Sequence, residues 1–272
     1  MFPRRTAATP DDSLVYVACP PPFTLDEIDE VHISVTFTYD LSYAEILLRQ
    51  WSAVGVPVKI GGPALYEPGG GFIPGLYLKR GYVITSRGCP NRCWFCKVPQ
   101  REGGEVRELP ITHGWNVLDD NLLACSEQHI RSVFAMLSQQ RERILITGGL
   151  EAARLKPWHV ELLRSVKAKR IYFAYDTPED YEPLVEAGKM MFGGGFTRDS
   201  DSLRCYVLYG YPGDTVKHAE KRLKDTFDAG FMPFAMLYHD TNGNYNRDMK
   251  RLQNEWIRPA IVMSNLGASN RK

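Results

Sequence analysis

YVITSRGCPNRCWFC, residues 82–96, decides how the rest of the chain is read. It opens as a short strand-forming run and passes at once into Cys89, Cys93 and Cys96, three of the chain's six cysteines. Similar runs recur downstream: NVLDD (116–120), ILITGG (144–149), IYFAYD (171–176), CYVLYGYPGD (205–214) and MPFAMLYHD (232–240). Five of these six strands are followed by a helical pattern. Ile130, Val133, Phe134 and Leu137 carry one, and Trp158, Leu162 and Val166 another. Ala219, Leu223 and Phe227, then Met249, Leu252 and Trp256, carry two more, and Thr177-Pro178-Glu179-Asp180 is a helix start with proline at the first helical position.

Continuous apolar runs imply strands buried on both faces, and hence a parallel sheet. Right-handed crossovers curl six such units into an open barrel or a twisted sheet, two short of the eight that close a barrel. The fold class expected is α/β, a partial (β/α)6 TIM-like barrel over residues 79–258, with 259–272 as a C-terminal tail. In such folds chemistry sits at the carboxyl ends of the strands, which is where the cysteines fall.

Residues 1–78 read as a small Rossmann-like βαβ unit. LVYVACP (14–20), VHISVTFT (31–38) and PVKI (57–60) are its expected strands, and Ser42 with Glu45 its expected helix-opening capping box. Ile46, Leu47, Trp51 and Val54 give that helix an apolar side. EPGGGFIPG (67–75) reads as a linker or mobile loop.

The 272 residues suffice for a sizeable core, with 44% apolar and 24% charged residues. A net charge of +1 gives no global attraction to nucleic acid or to an anionic membrane. KHAEKRLKD (217–225) interleaves both signs and reads as a solvated helix face. No run approaches the length of a membrane span. MFPRRTAATPDD is basic but lacks an apolar segment, so it is not read as a secretory signal. The expectation is a cytosolic protein with reduced thiols, in which clustered cysteines serve a metal or catalysis rather than disulfides.

Several chemistries compete for the three thiols. A zinc site needs a fourth ligand, which a distant histidine can supply. A redox C-x-x-C uses Cys93 and Cys96 and leaves Cys89 without a role. An iron–sulfur cluster uses all three thiolates and leaves one iron open. Cys19, Cys125 and Cys205 share no metal spacing and read as small buried hydrophobes. His113 and His239 sit near strand or loop ends.

C-P-N-R-C-W-F-C resembles the signature of the radical S-adenosylmethionine (radical SAM) superfamily. V-P-Q-R-E-G-G, V-L-D-D-N and Y-G-Y-P-G-D extend the likeness over roughly residues 80–240, toward the branch of cobalamin-dependent radical enzymes and tRNA methylthiotransferases. The resemblance implies a [4Fe-4S] cluster on Cys89, Cys93 and Cys96, with S-adenosylmethionine chelating the open iron. Reductive cleavage would then give a 5′-deoxyadenosyl radical that abstracts hydrogen from a substrate, with an electron donor such as flavodoxin or ferredoxin.

The same resemblance places Phe95 near the adenine, where packing over the cluster is the alternative. It offers Asp119 and Asp120 to the cofactor's ammonium. Gly148, Gly149 and Glu151 stand for a Gly-Gly-Glu element, displaced here to the third strand. Asp176 is offered to a ribose hydroxyl, and Gly210 and Tyr211 to the adenine. The N-terminal unit looks like a shortened cobalamin-binding domain, but it lacks D-x-H-x-x-G and reads as a remnant that caps the barrel or shapes its entrance. A non-catalytic iron–sulfur or zinc protein and an RNA-modifying radical transferase are the rival functions.

Overall fold

The structure is a computed structural model that describes residues 1–21, 28–198, 202–256 and 258–269. The chain opens with β1 (Val31–Ser34), α1 (Leu41–Ser52) and β2 (Val58–Gly61), with β1 and β2 paired in parallel. Their core is Val31, Ile33, Leu47 and Trp51, and the Trp51 indole donates to the Ala18 carbonyl.

Then come β3 (Tyr82–Val83), β4 (Ser86–Arg87), α2 (Val98–Glu102), β5 (Arg107–Glu108) and β6 (Asn116–Val117). The remainder alternates α3 (Glu127–Ser138), β7 (Leu145–Leu150), α4 (Pro157–Ser165), β8 (Arg170–Tyr175) and α5 (Tyr181–Gly193). It ends with β9 (Leu203–Tyr209), α6 (Val216–Asp228), β10 (Met232–Leu237), α7 (Lys250–Trp256) and α8 (Pro259–Ser269).

Six strands form one parallel sheet in the order β3-β6-β7-β8-β9-β10. Each strand therefore pairs with the next strand of the same sheet in chain order, the order that crossovers of one hand produce. Among the described residues β3 and β10 do not pair with each other, so the sheet is open. No helix is long and apolar enough to cross a membrane.

The alternation along β8 and β9 separates two apolar layers. Ile171, Phe173, Tyr175, Leu203 and Cys205 share one core with Ile130, Val133 and Leu137 of α3 and Leu184 of α5. Tyr172 and Tyr206 stack with their centroids 4.5 Å apart, and Phe234 meets both edge-on. The Tyr206 hydroxyl donates to the Thr147 carbonyl at 3.1 Å. The face against α3 and α5 is thus buried, whereas the opposite face is only partly covered, with Ala174, Tyr206, Leu208 and Phe234 half-buried and Met236 exposed, so the expectation of burial on both faces holds only in part. A second core joins Val207, Tyr209 and Leu237 to Leu223 of α6, Trp256 of α7 and Val262 of α8.

Several expectations need correction. LVYVACP forms no strand, only a single bridge between Phe2 and Val17. The second strand stops at Ser34, because a 3-10 turn over Thr38–Asp40 leads straight into α1. Asp40 occupies the cap position there without a side-chain cap bond, so Ser42 and Glu45 form no capping box, and Ile46 faces solvent. On α4 the buried side is His159, Val160 and Leu163, while Trp158, Leu162 and Val166 sit at its margin. Arg222 of KHAEKRLKD is buried and pairs with Asp214 at 2.6 Å, so that face is not wholly solvated. Residues 259–269 are α8 rather than a tail, and 270–272 lie outside the described residues.

Candidate metal centre

The cysteine loop begins where β3 ends. Thr85 and Ser86 leave the sheet, and β4 turns to pair antiparallel with β5. Asp119, two residues beyond β6, fixes that departure. Its carboxylate accepts from the Thr85 backbone N–H and hydroxyl, both at 2.6 Å, and from the Ser86 hydroxyl at 2.8 Å. Burial pushes its pKa up, and these donors pull it back. With three donors on a buried group, Asp119 fastens the base of the loop rather than presenting an open carboxylate.

Asp120 fastens the next segment. It accepts from the Gly88 N–H at 2.9 Å and from Arg101 at 3.0 Å. Gly88 has φ +88°, and a Cβ there would stand 2.1 Å from the Glu105 carbonyl oxygen, so the loop can turn this tightly only at glycine. Gly148 answers a similar demand on β7, since a Cβ there would lie 2.3 Å from the Asp119 carbonyl oxygen.

Glu102 anchors the far side. Its side chain is 1% exposed and lies 3.5 Å from Arg87, 2.9 Å from Arg101 and 3.2 Å from Arg107. It also accepts the Gly69 N–H at 3.1 Å, while Arg87 and Arg107 donate to the carbonyls of Gly70 and Gly69. The stretch read as a linker or mobile loop is therefore bound to the cysteine loop.

Cys89 is buried, and Cys93 and Cys96 are half-buried. Burial raises Cys93 to about 11, reinforced by Cys96 and Cys89 and by Asp180 and Asp176. Burial also raises Cys96, opposed by the Val98 N–H and reinforced by Cys89, Asp120 and Asp176. The three sulfurs thus share one neighbourhood, and at Cys93 and Cys96 negative charge is unwelcome without a cation. The Asn121 amide donates to the Cys89 sulfur at 3.3 Å and to Glu151 at 2.7 Å.

Trp94 arches from this loop to the far strands. Its ring lies 5.4 Å from Phe95, 5.4 Å from Tyr211 and 5.7 Å from Tyr238, so residues following β9 and β10 meet the loop that follows β3. Gly210 donates its N–H to Asp214, and the Arg222 guanidinium lies 5.2 Å from the Tyr211 ring. Asp176 accepts the Leu208 N–H at 3.2 Å, and burial, then Asp180, raises it to about 7. Glu151 also takes Arg154 at 2.6 Å, and Gly149 faces the Tyr206 ring.

The carboxylates are therefore not one open set. Asp119 is consumed in the loop base, whereas Asp120, Glu151 and Asp176 lie close around the thiols. Asn121, Arg101 and Glu102 stand within V-L-D-D-N and V-P-Q-R-E-G-G, but the sequence alone assigns them no role, because a single polar residue carries no periodicity. Cys205 is fully buried, as expected of a hydrophobe, whereas Cys19 is exposed. His239 lies between Tyr39 and Tyr245 rather than at the thiols.

One group of three ligand-type side chains brings its atoms within 4.8 Å of one another among the described residues, and it is Asp119, Cys125 and His129. Its own hydrogen bonds account for it. The Asp119 oxygens already hold three donors, and His129 lies 3.3 Å from the Thr85 hydroxyl and 3.7 Å from Glu108. Burial raises the Cys125 thiol to about 12. The motif cysteines do not form such a single-ion group, and no histidine completes one with them among the described residues.

Fold and site together define an α/β protein with a parallel six-stranded sheet and a fastened three-thiol loop beyond its first strand. Comparison with protein-family models and with curated proteins found no match.

Proposed function

We propose that the protein is a radical SAM enzyme in which Cys89, Cys93 and Cys96 hold a [4Fe-4S] cluster and S-adenosylmethionine binds beside it. One observation carries this reading: Cys93 and Cys96 are raised by burial and by the neighbouring cysteines and carboxylates, and the three thiols are not drawn together around a single point. Four ligands tetrahedral about one zinc, with bonds near 2.3 Å, would place sulfurs roughly 3.8 Å apart. Thiolates on separate irons of one cluster stand farther apart. Metal binding deprotonates such thiols, which removes the mutual penalty that raises them.

When bound on Cys89, Cys93 and Cys96, a reduced cluster would supply the one electron needed for cleavage of S-adenosylmethionine and hydrogen abstraction from a substrate. The chain's own residues have definable tasks. Asp119, Asp120 and Glu102 hold the loop in shape. Asp176 keeps a proton near neutral pH and can donate or accept at the cofactor's polar edge. Trp94, Phe95 and Tyr211 form an aromatic cluster against which an adenine can pack.

The finer fold reading is a partial (β/α)6 TIM-like barrel. It is supported by the chain-order strand sequence and by Trp94, which spans from the first strand's loop to those of the last two. Residues 1–78 cap this barrel. Tyr39 packs on His239, and a Cβ at Gly243 would lie 2.8 Å from the Tyr39 Cβ. The working environment is the reducing cytosol, with flavodoxin or ferredoxin as electron donor.

Anaerobic reconstitution tests the reading. It predicts about four irons and four sulfides per chain, and 5′-deoxyadenosine on incubation with S-adenosylmethionine and dithionite. Stoichiometric zinc without sulfide would overturn it.

A further inference from the structure

Among the described residues, Asn121 is the side chain that donates to a motif sulfur. It is 4% exposed, and its Nδ2 serves two acceptors, the Cys89 sulfur at 3.3 Å and Glu151 Oε2 at 2.7 Å. Glu151 sets the orientation of the amide. A flipped amide would turn its oxygen toward a carboxylate and a sulfur, both acceptors, so the nitrogen must face them. Arg154 steadies Glu151 at 2.6 Å. The arrangement has a cost elsewhere, because Asn121 Oδ1 is buried with no partner. An apolar side chain of the same size would avoid that cost and lose the bond to sulfur.

A donor aimed at a thiolate stabilises whichever redox state places more negative charge on it. Hydrogen bonds to ligand sulfurs are among the factors that set iron–sulfur potentials. We propose that Asn121, oriented by Glu151, is a positioning residue that raises the reduction potential of the cluster through Cys89. The inference rests on the function proposed above. The step concerned is transfer of one electron from a low-potential reductant to the oxidised cluster, in which no bond to Cys89 forms or breaks.

The test uses full-length protein, reconstituted anaerobically, without S-adenosylmethionine. Asn121→Leu and Asn121→Asp both remove the donor, one with an apolar and one with an oxygen-bearing side chain of similar size. Each is titrated with titanium(III) citrate and followed by absorbance and electron paramagnetic resonance. Iron and sulfide content and a melting curve are taken on the same sample. The expected result is a loaded cluster whose reduction equilibrium constant falls about tenfold, which for a one-electron couple is about 59 mV more negative. A purely structural role would change the melting curve and leave the potential alone. Folded, loaded variants with the parent potential would overturn the inference while leaving the proposed function standing. Two folded variants that both lose the cluster would also overturn it, since Asn121 would then serve assembly. Failure of the parent to take up iron and sulfide would overturn the function itself.

Discussion

Replacing Asp119 with Ala separates a fastener from a cofactor ligand. The substitution strips the acceptor from the Thr85 N–H, the Thr85 hydroxyl and the Ser86 hydroxyl, all in a buried setting. The backbone N–H cannot turn away, so it carries the full penalty of a buried orphan, about 1–3 kcal/mol. The Thr85 hydroxyl can turn to His129, 3.3 Å away, so the two hydroxyls lose only about 1 kcal/mol each. The sum is roughly 3–5 kcal/mol, or about 6–20 °C in melting temperature for a chain of this size. The assay is thermal melting of the apo-protein, paired with iron loading and S-adenosylmethionine titration of whatever loads. Expected are a lowered melting point and poor cluster loading, with S-adenosylmethionine affinity near that of the parent in the loaded fraction. A melting point within 2 °C of the parent, together with an affinity roughly tenfold weaker, would refute this reasoning and make Asp119 a cofactor ligand.

Further outcomes are expected. Alanine at Cys89, Cys93 or Cys96 should abolish iron loading, whereas a Cys19, Cys125 and Cys205 triple variant should keep it, as iron and sulfide analysis would record. Zinc titration of apo-protein should show no stoichiometric uptake lost in Cys125→Ala, because the Asp119, Cys125 and His129 group is already hydrogen-bonded. Asp176 has a native pKa of about 7, above its ordinary value of 3.8, so the folded state holds a proton that the unfolded state releases between those values. Apo-protein stability should therefore fall as pH rises from about 4 to 7, and Asp176→Asn should flatten that slope in melting curves. Arg222→Ala leaves the buried Asp214 without its partner and should cost about 3–5 kcal/mol by urea unfolding.

The six sheet strands were legible because each is an apolar run followed by a helix or a turn toward one. Their lengths were less so. β3 and β6 span two residues each, since Thr85, Ser86, Asp119 and Asp120 leave the sheet to knit the loops together. Propensity cannot register that choice, because it depends on partners more than 30 residues away. The β4–β5 ribbon was invisible for the same reason, its two-residue strands carrying no pattern of their own. The thiols were legible through spacing alone. Asn121, Glu102 and Gly69 were not, because their roles exist only once β6, α2 and the 67–75 stretch have met. LVYVACP misled because it is a continuous apolar run rich in valine yet makes a single bridge.

The lacing of Gly69 and Gly70 to Glu102, Arg87 and Arg107 bears on how the protein is assembled during synthesis. The loop is held upstream by residues made before the cysteines and downstream by Asp119 and Asp120, made after them. A nascent chain that has just released Cys96 therefore owns all three motif thiols, but Glu102, Arg107, Asp119 and Asp120 of their clamp are still to come. The clamp is complete only once β6 and the two aspartates beyond it have emerged. A chain begun at residue 79 would retain every strand of the six-stranded sheet and every motif cysteine, yet lose the Gly69 and Gly70 side of the loop's clamp.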